Sequence, residues 1–167
     1  LVPAAFAWPA VLSSMFVHAD LLHAGVNLLS LWIFGDNVED RMGHGRYIAF
    51  YLLSGVVAAL AQTLTAPGSA APMIGASGAI AGVMGAYLVL FPRVRVFTMV
   101  PLGFFITSMA LPAWVMLIYW AFLQFAGGVT SVVSEQSGGV AFWAHLGGFV
   151  AGVVLVKIFE RRDRVHE

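Results

Sequence analysis

The sequence predicts an all-α membrane protein, a polytopic helical bundle with five transmembrane helices. Its 167 residues are 60% hydrophobic and only 10% charged, and the mean hydropathy is +0.91. These values lie well outside the range of soluble domains. Hydrophobic runs bounded by Gly, Pro and charge approach the ~20 residues that a hydrocarbon core of about 30 Å requires. Every Lys and Arg also falls in stretches that an alternating chain would leave on one side of a membrane.

Taken in order, residues 1–21 carry Pro3, Trp8 and Pro9 and read as an outer interfacial loop. The expected spans are 22–36, 46–64, 77–91, 112–127 and 141–159. Between the third and fourth, residues 93–111 are apolar enough to resemble a further span. Pro101, Gly103 and Pro112 break that run, so it reads as an interfacial loop that dips into the membrane. Residues 128–140 are rich in Gly and Ser and form an outer cap, and 160–167 are a cytoplasmic tail. The bundle 22–159 and its flanks make a single domain, 1–167.

If the five spans alternate, Arg41, Arg46, Arg93, Arg95, Lys157, Arg161, Arg162 and Arg164 share one side, and the other holds only Asp20 and Glu135 as charged groups. The positive-inside rule makes the basic side cytoplasmic, with the N-terminus out and the C-terminus in. A bacterial plasma membrane is the expected setting. Leu1-Val2-Pro3 has neither an initiator Met nor a basic leader region and does not read as a signal peptide, which suggests a fragment of a longer chain.

Several chemistries are excluded. With no cysteine there is neither disulfide frame nor thiolate ligand or nucleophile. A formal charge of +0 argues against a nucleic-acid partner, and no GxxxxGK[ST], HExxH or EF-hand pattern is present. No metal and no cofactor is expected.

Polar side chains inside apolar helices mark function by default. Ser77 opens the third span within Gly75-Ala76-Ser77-Gly78, and His145 sits in the fifth within Ala144-His145-Leu146-Gly147-Gly148. Ser77 precedes Arg93 by 16 residues, as His145 does Arg161 and His23 does Glu39. Each polar residue therefore lies roughly 24 Å above an inner charge marker. Three polar positions on three helices share one depth, below the outer surface and above the midplane.

A helix starting at Ser77 ends inside the protein, where free backbone survives only if it is buried or lines a cavity. Its first N–H groups and positive dipole end would face that cavity as donors to an oxyanion. Asn27 follows His23 by four residues, so both lie on one helix face and could add side-chain donors. Asp20 and Glu135 sit in loops, which favours a Ser-His dyad over a triad. Gly78, Gly82 and Gly85 on one helix, and the Gly148/Gly152 pair on the other, would allow the close approach such a dyad needs.

Each feature also has a plainer reading. Small-residue stripes are common helix packing, and His23 and Asn27 could satisfy each other. His18 fits the outer interface, while His44 and His166 fit solvent on the inner side. Glu39 and Arg41 read as fasteners of the first span's inner end. Trp114, Trp120 and Phe122 read as lipid-facing or interhelical aromatics. The conjunction of Ser, His, His and Asn at one level favours a site.

Four motifs in this order resemble those of the rhomboid family of intramembrane serine proteases. They are His23-Ala24-Gly25-Val26-Asn27, Val38-Glu39-Asp40-Arg41-Met42-Gly43, Gly75-Ala76-Ser77-Gly78 and the run from Ala144 to Gly152. The resemblance implies Ser77 as nucleophile and His145 as general base and then acid. It also implies an oxyanion hole from the backbone N–H groups of Ser77 and Ala76 with the side chains of His23 and Asn27. Family substrates are membrane-anchored proteins cut in or near a transmembrane helix, commonly at small residues, entering past the helix at 112–127. The rhomboid core has six helices, so the resemblance places the first upstream of Leu1. Where some members carry an aromatic residue that supports the histidine ring, this chain has Ala81. The expected partners are transmembrane-helix proteins and the lipid bilayer. Two other classes stand beside the protease: a non-catalytic rhomboid-like binder of transmembrane helices in trafficking or quality control, and a small transporter.

Overall fold

In the computed structural model, residues 8–65, 73–102, 105–133 and 140–161 are described. The elements are α1 (Trp8–Ser14), α2 (Leu21–Met42), α3 (His44–Thr65), α4 (Ser77–Leu90), β1 (Arg95–Leu102), β2 (Phe105–Pro112), α5 (Ala113–Val133) and α6 (Phe142–Phe159). The five expected spans correspond to α2 through α6. By length and composition α3, α5 and α6 can each cross a membrane, and α4 is a shorter apolar helix. The fold is an all-α polytopic membrane bundle.

The centre is α4. Every residue from Gly78 to Tyr87 is buried, so this helix is apolar on all sides and lacks an amphipathic face. It packs most extensively against α6, and α3 and α2 close the remaining sides. Large apolar side chains on the outer helices, including Leu28 and Trp32 of α2, Phe122 of α5 and Val154 of α6, are exposed. Such a belt is costly in water and natural in lipid.

The α4–α6 seam is made by glycine. A methyl group on Gly148 would run into the carbonyl oxygen of Gly78, and one on Gly152 into that of Gly82. One on Gly85 would strike the carbonyl of Phe149. Backbone therefore touches backbone over two helical turns, the contact that small residues permit between membrane helices.

At the end far from His23, α2 and α6 are fastened together. Arg41 and Glu160 form an ion pair, Lys157 Nζ lies 2.9 Å from the other Glu160 oxygen, and Arg161 N–H donates to the Arg41 carbonyl at 2.9 Å. The Arg41 guanidinium also sits 5.8 Å from the centre of the Phe91 ring. Glu39 pairs with His44, so His44 is exposed yet engaged.

Three expectations are corrected. Residues 93–111 are not an irregular loop but an antiparallel hairpin, with Arg95 opposite Pro112 and Leu102 opposite Phe105. Exposed Arg95, Phe97 and Met99 alternate with half-buried Val96 and Thr98, the period-two pattern of a strand. Both strands are edges, where proline is tolerated.

Within the outer stretch 1–21, residues 8–14 form α1, while 1–7 lie outside the described residues. The cap at 128–140 is helical through Val133, since α5 continues past its glycines. There the hydroxyls of Thr130 and Ser131 donate to the carbonyls of Ala126 and Gly128 at 2.7 and 2.8 Å. Residues 134–139 of that cap, with Glu135, and 162–167 of the tail, with Arg162, Arg164 and His166, lie outside the described residues.

Candidate active site

Ser77 is held by the turn before it. Gly75 has φ +107°, a conformation that side chains rarely adopt. A methyl group there would also lie 2.8 Å from the His23 ring. Its N–H donates to the Ser14 carbonyl at 2.9 Å, tying the end of α1 to this turn. Ala76 precedes the helix without a side-chain cap, and Ile80 N–H is the donor to its carbonyl at 3.0 Å. The N–H groups of Ser77, Gly78 and Ala79 come before that bond, at the positive end of α4.

His145 lies in the first turn of α6, where Gln62 of α3 accepts the Ala144 N–H at 3.2 Å. Its Nε2 is 2.8 Å from Ser77 Oγ. On the other edge of the ring, Nδ1 is 2.8 Å from Gln124 Oε1 of α5. Trp120, one turn earlier on α5, tilts over the imidazole with ring centres 6.0 Å apart. Ala81 presents only a methyl group, and the aromatic ring beside His145 is that of Trp120.

A cavity of about 540 Å³ is lined by Asp20, His23, Asn27, Gly75, Ser77 and His145, among others. Asp20 caps α2 by accepting the His23 N–H at 2.7 Å. Asn27 is buried, and its Nδ2 donates to the His23 carbonyl at 2.9 Å. A carboxamide nitrogen carries two hydrogens, so one donor remains. Among the described residues no group of three or more His, Cys, Asp and Glu could hold a metal ion.

The structure thus brings Ser77, His145, His23, Asn27, Gly75 and Gly78 to one cavity. Ala76 is buried beside them. Gly148 and Gly152 serve the seam, and Glu39 and Arg41 lie at the other end of α2. Sequence reasoning missed Gln124, the one carboxamide in the uncharged run 113–129. A strongly polar side chain in such a run was itself the signal.

Residues 5–162 match the family model for the Rhomboid domain. The chain belongs to the rhomboid family. Among curated rhomboids it is 29% identical to Rhomboid protein 1, mitochondrial, of Saccharomyces cerevisiae over 149 residues, which cover 87% of this chain and 40% of the relative. It is 31% identical to Presenilin-associated rhomboid-like protein A, mitochondrial, of Danio rerio over 154 residues, 87% of this chain and 36% of that one. With Rhomboid protease GluP of Bacillus subtilis the identity is 37% over 81 residues, 48% of this chain and 15% of the relative. The chain spans less than half the length of these relatives. A rhomboid with these helices is an integral, multi-pass membrane protein.

Proposed function

We propose that this rhomboid is an intramembrane serine endopeptidase that cleaves membrane-anchored proteins in or near their transmembrane helices. The observation that carries the reading is the 2.8 Å separation of Ser77 Oγ and His145 Nε2 beside a cavity.

In the first half-reaction, Oγ attacks the scissile carbonyl carbon while its proton passes to Nε2. The oxyanion that forms is stabilised by the N–H groups of Ser77 and Ala76 and by the side chains of His23 and Asn27. Collapse breaks the C–N bond, and Nε2–H protonates the leaving amine. In the second, Nε2 takes a proton from water as its oxygen attacks the ester. The new acid departs and Ser77 regains its hydrogen. The GluP relative is named a protease, which supports carrying this chemistry to the chain.

Substrates reach the cavity laterally past α5, and a small side chain at the cleaved bond suits a cavity bordered by Gly55, Ala58, Gly78 and Ala79. The setting we favour is a bacterial plasma membrane with the basic end cytoplasmic, from the charge distribution. Two relatives carry mitochondrial names, which makes the mitochondrion the comparison for localisation.

Purified protein in detergent or bilayers should be labelled by a fluorophosphonate probe, and the label should vanish in Ser77→Ala. Proteolysis retained by purified Ser77→Ala protein would refute the mechanism.

A further inference from the structure

We propose that Gln124 is a positioning residue that holds neutral His145 in the tautomer protonated on Nδ1, leaving Nε2 open to accept the Ser77 proton. This rests on Ser77 and His145 acting as nucleophile and base.

A carboxamide on a membrane helix is costly unless it is hydrogen-bonded. Gln124 Oε1 meets that need on His145 Nδ1 at 2.8 Å. An amide oxygen only accepts, so the shared hydrogen belongs to Nδ1. A neutral imidazole has one N–H, and Nε2 is then an acceptor facing Ser77 Oγ at 2.8 Å. A histidine side chain in water favours the opposite tautomer, with the hydrogen on Nε2, which then cannot take a proton from serine. Gln124 corrects that preference without burying a carboxylate.

The groups facing the ring leave this task to α5. From α4 comes Ser77, on Nε2. From α2 and its cap, His23 and Asp20 line the same cavity. From α3, Gln62 is engaged with the Ala144 N–H. Trp120 and Gln124 lie one helical turn apart, so one face of α5 supplies both the plane against the ring and the acceptor at its edge.

The test reads two quantities on the full chain in detergent. With ¹⁵N-labelled histidine, nuclear magnetic resonance should show wild-type His145 protonated on Nδ1, and Gln124→Met should shift it toward the Nε2 form. In cleavage assays Gln124→Met should lower kcat by about 10- to 100-fold with KM changed less than about threefold. Gln124→Glu, which keeps an acceptor, should recover most of that loss. An Nε2-protonated ring in the wild type would overturn the inference, and this reading needs no variant to fold. So would unchanged kcat in Gln124→Met, or a loss confined to KM, which would make the residue part of substrate passage. Activity surviving in Ser77→Ala would instead sink the protease reading itself.

Discussion

The Gly75 N–H donates to the Ser14 carbonyl at 2.9 Å, so the short helix α1 braces the turn from which Ser77 projects. Ser77 is thereby fixed from both sides, by α1 before it and by the buried α4 after it.

Gly75→Ala should test that brace. The added methyl meets both a positive φ and the His23 ring at 2.8 Å. We expect a loss of ~1–3 kcal/mol and a fall in cleavage rate, read by thermal unfolding in detergent beside a peptide-cleavage assay. A variant with wild-type midpoint and rate would show that the turn tolerates a side chain.

Ser77→Ala and His145→Ala should each lower kcat by ~10³-fold or more, and the double variant should lose little beyond either single one. Unfolding midpoints near wild type would assign the loss to chemistry. Multiplying losses would mean that the two act independently.

Asn27→Ala should be milder, with a rate loss of ~10²-fold, because backbone donors remain at the start of α4. Single-turnover kinetics should assign it to the chemical step. A loss as complete as that of Ser77→Ala would indicate another role, such as holding α2 through the His23 carbonyl.

Gly152→Ala should destabilise by ~1–3 kcal/mol, since its methyl would run into the Gly82 carbonyl. Gly25 has nothing within 4 Å of a methyl at its α-carbon. Gly25→Ala should therefore leave the unfolding midpoint unchanged or slightly raised. Equal effects at the two positions would contradict the seam.

Much of this was legible in the chain. Apolar runs broken by Gly, Pro and charge located α2 to α6, and the starts of α4 and α6 fell within one residue of the expected 77 and 141. Ser77 and His145 stood out because polar groups in lipid-length helices need a reason. The hairpin was less visible, since Pro101 and Pro112 read as breakers and its alternation is short. The reach of α2 to Met42 was masked by Asp36, Glu39, Asp40 and Arg41, which look like a loop but continue the helix. Gln124 was hidden by its neighbours: in sequence it is one amide among aromatics, and only the fold turns it toward an imidazole.

The Arg41–Glu160 clasp makes a pivot. With α2 and α6 pinned there, relative tilting is converted into travel at the opposite rim. Along the 22 residues of α2, a lever of about 33 Å, a tilt of roughly 5° moves the tip by about 3 Å. That is the width of a water molecule. Any difference in tilt between the two helices is therefore smallest at the ion pair and largest at the end of α2 that carries His23 and Asn27.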